Sequence, residues 1–181
     1  PSVPRSIENP LRSNHANVDG TLNVLFAAKE NKVKKVVYAS SSSVYGDTPT
    51  LPKKEEMKPC PLSPYAVCKL TVEYYCNVFS RVYNLDAVAL RYFNVYGPRQ
   101  DPKGAYAAVI PKFITNIKIN ESPIIFGDGE QRRDFTFVDD VVQANIKVAD
   151  SKAKGVFNIA FGDRITIKSL AELVMEITSR N

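Results

Sequence analysis

Tyr65 and Lys69, four residues apart in "SPYAVCK", can do chemistry as a pair, and a run of serines, Ser40 to Ser43, precedes them. Positions i and i+4 share one face of a helix. A free tyrosine ionises near pH 10, too high for a base at neutrality. An ammonium within a few ångströms favours the phenolate and lowers that value. A place in the first helical turn adds the positive end of the macrodipole. The phenolate can then take the proton of an alcohol while hydride leaves the same carbon. Ser40 and Ser41 close a β-rich run, and the carboxyl end of a parallel strand is where doubly wound sheets bind ligands. A hydroxyl there can donate to or accept from the reacting oxygen. The chain has one histidine, His15, so this chemistry must run without imidazole. A lone Tyr-x-x-x-Lys arises by chance in many helices; "YASSSSVYGD" followed by "SPYAVCK" is far more specific.

Such side chains need a sheet and helices to hold them. Val18, Leu22, Leu25 and Phe26 form a helical stripe, and "KKVVYAS" then reads as a buried parallel strand. A loop rich in Pro and Lys runs to about Pro61, and helix restarts with Ser63 as N-cap and Pro64 at the first helical position. "LDAVALRYF" is the next strand. Beyond Asn94 the pattern loosens: "VYGPRQDPKGAYAAV" is loop-like, "VIPKFITNIKIN" is helical despite Pro111, and "PIIFGDGEQRRDFTFV" reads as strand, turn and strand. "VDDVVQANIKVAD" is a helix, "GVFNIAF" a strand, and Thr166 starts a last amphipathic helix. The expectation is an α/β fold with a parallel sheet early and a more irregular part later.

Composition excludes several classes. The chain has 181 residues, 44% hydrophobic and 24% charged, which suits one good core, or one domain and part of another. The net charge of +5 comes from scattered lysines and arginines, which argues against nucleic acid and leaves attraction for phosphate-bearing small molecules. Cys60, Cys68 and Cys76 form neither an even set nor a Cys-x-x-Cys pair, so reduced thiols and no metal site are expected. No apolar run reaches membrane-spanning length and "PSVPRSIENP" lacks signal-peptide features, so a cytoplasmic protein with no membrane partner is expected.

Several stretches resemble one family. "SVPRSIENP", "NVDGTLNVL", the serine run with "VYGD", "SPYAVCK", "LRYFNVYGPRQDP" and "RRDFTFVDDVVQAN" are similar to motifs of the NAD-dependent epimerase/dehydratase family, the nucleotide-sugar group of the extended short-chain dehydrogenases/reductases. The resemblance implies a Rossmann-like doubly wound parallel sheet, truncated at its N-terminus, with part of a smaller α/β substrate domain. It puts residues 1–93 in the NAD-binding domain and 94–181 in the sugar-binding one, with 136–160 returning to the first sheet. It makes Tyr65 the base, Lys69 its tuner and a contact of the nicotinamide ribose, and Ser41 the group orienting the reacting hydroxyl. Asn17, Ser40 and Tyr92 are implied for NAD. Ser2, Ser42, Ser43, Asn94, Ala108, Val109 and Arg133 are implied for the UDP-sugar, with Arg5 beside Ser2. Arg133 would grip the diphosphate, a role its fork geometry suits. The competing structural readings give Asn17 to its own helix backbone, Asn94 to a turn, and Arg133 to an ion pair with Asp134 or Asp128.

Within the family, dehydratases resembling the dTDP-glucose 4,6-dehydratase type carry an Asp-Glu pair where this chain has Ser42 and Ser43, so dehydration lacks its proton donors. A 4-epimerase remains, with UDP-N-acetylglucosamine ahead of UDP-glucose; a UDP-glucuronate epimerase or decarboxylase is the alternative. The family's Gly-rich phosphate turn has no match, since the run beginning at Gly127 and Gly129 ends on Arg132. The chain alone is therefore expected to bind NAD poorly and not to turn over, the competing class being an inactive fragment used for binding or dimerisation. The resemblance also implies a homodimer through the helices near Gly20–Lys29 and Tyr65–Tyr83, with Tyr74, Tyr75 and Tyr83 in packing or at the dimer face.

Overall fold

A computed structural model describes residues 2–102 and 108–179. Part of the loop expected before Ala108 lies outside the described residues. Two short helices open the chain. Ser2 caps α1 (Val3–Glu8) by accepting from the Arg5 amide, and Asn9 caps α2 (Pro10–Asn14), whose first residue is a proline without an amide proton to satisfy. A π-turn at His15–Asp19 carries α2 into α3 (Gly20–Glu30), where Val18, Leu25 and Ala28 are buried. Phe26, assigned to the inward stripe, is 57% exposed instead. It lies about 80° round the helix from Val18 at 3.6 residues per turn, at the edge of the apolar face.

Strand β1 (Lys35–Ser41) follows, then a 3₁₀ turn (Ser42–Tyr45) and the loop to α4 (Pro64–Val82). Ser63 caps α4 as expected, its hydroxyl accepting from the Ala66 amide. Strand β2 is Asp86–Tyr92 and β3 is Asn94–Tyr96; then come α5 (Val109–Lys118), β4 (Arg132–Arg133), β5 (Phe135–Phe137), α6 (Val138–Ala149), β6 (Gly155–Ile159), β7 (Ile165–Thr166) and α7 (Ile167–Ser179).

The chain divides into two compact units, Pro1–Phe93 with Asp139–Ile159, and Asn94–Val138 with Ala160–Asn181. The first holds a parallel sheet in the order β1-β2-β6, with Ser40 opposite Arg91 and Ser41 opposite Tyr92. Its core joins Leu25 of α3 and Cys68, Val72, Cys76 and Phe79 of α4 to Tyr38, Ala87 and Ala89 of the strands. This is the α/β, Rossmann-like arrangement of parallel strands and helices. Lys35 ties its far end, donating to the carbonyls of Val148, Ser151 and Ala153 at the C-terminus of α6.

In the second unit β3 pairs in parallel with β5, and β4 runs antiparallel to β7. Phe113 of α5 packs against Ile167, Leu170, Ala171 and Val174 of α7. Pro111 falls in the first turn of α5, where no helical hydrogen bond is lost. The expected strand–turn–strand at Pro123–Val138 is not a hairpin. Gly127 and Gly129 take positive φ, and the carbonyls of Gly129 and Gln131 accept from Lys168 and Ile167, capping α7. With those groups engaged, residues 123–126 stay irregular and β4 and β5 pair with other strands.

Candidate active site

The end of β1 and the first turns of α4 bring Ser41, Tyr65 and Lys69 together. The Ser41 hydroxyl stands beside the Tyr65 phenol and favours its ionised form. Lys69 Nζ donates 2.7 Å to the carbonyl of Ala39, and lies 5.6 Å from the centre of the Tyr65 ring and 4.9 Å from that of Tyr38. Burial pushes the Tyr65 phenol above its ordinary pKa, and the neighbouring Ser41 hydroxyl only partly offsets this. Burial also lowers Lys69. The expected fall of the Tyr65 value therefore does not occur in the protein alone, because desolvation outweighs its partners. Further positive charge beside the phenol is needed to hold it ionised.

Three serines ahead of the pair have different employments. Ser40 is 4% exposed and its hydroxyl donates to Glu73 of α4, so the side chain implied for NAD is already committed inside the protein. Ser40 meets α4 two turns beyond Tyr65, at Glu73, whereas Ser41 at the end of the strand stands beside Tyr65 itself. Ser42 and Ser43 lie in the 3₁₀ turn, the Ser43 amide donating to the Ser41 hydroxyl. The Ser43 hydroxyl is buried without a protein partner.

A cavity of about 610 Å³ in the first unit is lined by Ser2, Arg5, Asn17 and Tyr65 together with Ser6 and Arg12. Asn17 Nδ2 donates to the Ser13 carbonyl, the employment its structural reading gave it, yet the residue still faces the cavity. Ser6, passed over in the sequence, is 1% exposed and accepts from the Tyr65 amide while donating to Val3. Tyr92 lies elsewhere in this unit and donates to Asn145 of α6.

The second unit holds its own cavity, about 620 Å³, lined by four residues singled out in the sequence: Asn94, Ala108, Val109 and Arg133. Asn94 Nδ2 donates to the Asp134 carbonyl. Arg133 pairs with neither Asp134 nor Asp128. Its side chain donates to the Arg132 carbonyl, and Asp134 caps the amides of Phe161 and Gly162. Lys112 and Gln131 share the lining and carried no sequence signal beyond their polarity.

A second group missed in the sequence lies deeper in the first unit. Arg91 forks onto Glu73, Nε to Oε1 at 2.9 Å and Nη2 to Oε2 at 2.7 Å, with both residues at most 4% exposed. Burial pulls Arg91 down, but its bonds to Glu73 and Tyr45 outweigh that and leave it raised. The signal was present as one charge inside each of two apolar stripes, "AVALRYF" and the inner face of α4.

The donor set suits the nicotinamide end of NAD. The Lys69 ammonium has three protons and gives one to Ala39, Tyr65 and Asn17 face the same cavity, and the Ser43 hydroxyl awaits a partner. Comparison with known proteins gives the same direction. Residues 1–160 match the NAD dependent epimerase/dehydratase family. The UDP-glucose 4-epimerase of Mycolicibacterium smegmatis is 40% identical over 171 residues, 93% of this chain and 54% of that protein. The solved UDP-N-acetylglucosamine 4-epimerase of Methanobrevibacter ruminantium M1, in complex with UDP-N-acetylmuramic acid, superposes with a TM-score of 0.97 at 50% identity, covering 98% of this chain and 57% of that one. The UDP-glucose 4-epimerase of Thermus thermophilus, solved in complex with NAD, gives 0.88 at 34% identity, over 98% and 59%. The chain thus spans little more than half the length of each.

Proposed function

The chain belongs to the NAD dependent epimerase/dehydratase family, and from that premise we propose that it carries the catalytic residues of a UDP-sugar 4-epimerase acting on UDP-N-acetylglucosamine. The observation that carries this reading is the Ser41–Tyr65–Lys69 arrangement, a half-buried phenol beside a hydroxyl and overlooked by an ammonium. Ser41 orients the C4 hydroxyl of the sugar and Tyr65 takes its proton. Bound NAD would accept the hydride from the same carbon and later give it back. Lys69 holds the nicotinamide ribose with the donors left over from Ala39, and its charge favours the Tyr65 phenolate. Tyr65 keeps the proton while the sugar is a ketone and returns it after the sugar has turned its other face. Ser42 and Ser43 offer hydroxyls where elimination would need carboxylates, which supports epimerisation over dehydration. Arg133 and Asn94, in the cavity of the second unit, hold the UDP portion.

The test is incubation of the whole protein with NAD and UDP-N-acetylglucosamine, with nucleotide sugars resolved by anion-exchange chromatography. UDP-N-acetylgalactosamine should accumulate to equilibrium. Its absence, alongside turnover of UDP-glucuronate or release of a 4-keto-6-deoxy sugar, would overturn the reading.

A further inference from the structure

We infer that the buried Ser40–Glu73–Arg91 network is a positioning device that fixes Tyr65 and Lys69 against Ser41. Glu73 stands one helical turn beyond Lys69 and two beyond Tyr65, at i+4 and i+8 on the same face of α4. Its carboxylate is fully engaged: Oε1 accepts from Ser40 and from Arg91 Nε, and Oε2 from Arg91 Nη2. Ser40 immediately precedes Ser41 on β1, and Arg91 lies opposite Ser40 on β2. One carboxylate therefore ties the helix that carries the base to both strands that frame the site.

Stability alone does not account for such a group. A buried ion pair loses more hydration than its attraction returns, and apolar residues of similar volume hold a core as well or better. What apolar contacts lack is direction. The contacts of Val72, Cys76 and Phe79 with Ala87 and Ala89 are apolar and have no preferred direction. The Arg91 fork and the Ser40 hydroxyl do have one, since their bonds lengthen and bend as soon as α4 slides or turns. A misplacement of about 1 Å costs catalysis on the order of 100-fold.

The test is the double substitution Glu73→Met with Arg91→Met, which removes both charges and keeps volume. The first readout is NMR of the protein with ¹³C-labelled tyrosine rings, the Tyr65 signal being identified by its loss in Tyr65→Phe. The double variant should melt at or above the parent's temperature, yet its Tyr65 signal should shift or broaden while those of exposed Tyr74 and Tyr83 stay in place. The second readout, which rests on the proposed epimerisation, is a fall in kcat of about 100-fold with KM changed by no more than about twofold. A folded double variant whose Tyr65 signal and kcat match the parent's would overturn the inference. Should that variant fail to fold, Arg91→Lys keeps the charge and loses the fork. It should disturb the same Tyr65 signal, and an undisturbed signal would overturn the inference equally. If the parent itself turns over no nucleotide sugar, the functional reading fails, while the Tyr65 signal still decides the positioning role.

Discussion

Ser41, the last residue of β1, stands beside Tyr65 in the first turn of α4, so strand and helix meet through the two groups proposed to touch a sugar hydroxyl. Removing the phenol oxygen removes the proton acceptor and leaves the ring. Tyr65→Phe should therefore lower kcat by about 10³-fold, with NAD still bound, as read by product chromatography and by nucleotide released on denaturation. Retention of a tenth of the parent rate or more would exclude Tyr65 as the base.

Arg133 lines the cavity of the second unit without an acidic partner among the described residues. Charged hydrogen bonds to a diphosphate contribute about 1.5–3 kcal/mol. Arg133→Met should raise KM for the nucleotide sugar on the order of 10–100-fold with a smaller change in kcat, measured by initial rates. An unchanged KM would place the diphosphate elsewhere.

Several tyrosines and cysteines raised by burial give stability one direction of pH dependence. Burial pushes the Cys76 thiol up from 9.0 to about 12, with the Glu73 carboxylate adding to the effect, and it also raises Tyr38 and Tyr65. A group whose value is higher in the fold than unfolded stabilises below its unfolded pKa and loses that contribution as pH climbs to the folded one. Lys69, lowered by burial, works the other way and stabilises increasingly up to its unfolded value. These raised groups, with Tyr45 and Cys68 raised by burial in the same way, outnumber it, so the urea midpoint should fall between pH 9 and 12. Cys76→Ala should show a shallower fall, and equal slopes would contradict the assignment. At pH 8 an Ellman titration should find one reactive thiol, exposed Cys60, and all three after denaturation.

Gly46 follows the "VY" of the serine segment with φ of +61°, and a Cβ built there would stand 1.9 Å from the Cys60 carbonyl oxygen. Backbone cannot yield as a flexible side-chain tip can, and the Cys60 amide is bonded to Val44 next door. Gly46→Ala should cost several kcal/mol, seen as a melting temperature lower by about 10 °C or more, on the order expected from strain plus overlap. A change within a few degrees would mean that the loop at Cys60 moves freely.

The periodic elements were legible in the sequence because local signals and burial agree there. Ser63 with Pro64 marks the start of α4, and the apolar run before Ser40 marks β1. The alternation of such helices and strands pointed to the fold class. Around Gly127 the reading failed, since Ile124 and Phe126 are β-formers whose neighbours' carbonyls are used at the start of α7, a distant segment. Motifs picked out Tyr65, Lys69 and Ser41, which the fold then brings together. They could not tell that Ser40 is spent on Glu73, because that bond depends on how α4 packs against β1. Glu73 and Arg91 escaped for a related reason: each is one charge in an apolar stripe, and only the packed sheet pairs them.

Lys35 and β6 impose an order on how the molecule is made. β1 and β2 can pair once Tyr92 has left the ribosome, but the second edge of β2 waits for Gly155–Ile159. The carbonyls of Val148, Ser151 and Ala153 that receive Lys35 come just as late. Between those moments the ribosome spells out residues 94–138, all belonging to the other unit. Parallel pairing across so long a gap is slow, and an unfinished sheet offering Val88 and Leu90 at an open edge is a surface to which other chains can add. The nascent protein should therefore depend most on chaperones while the part that has left the ribosome ends between about residues 92 and 155.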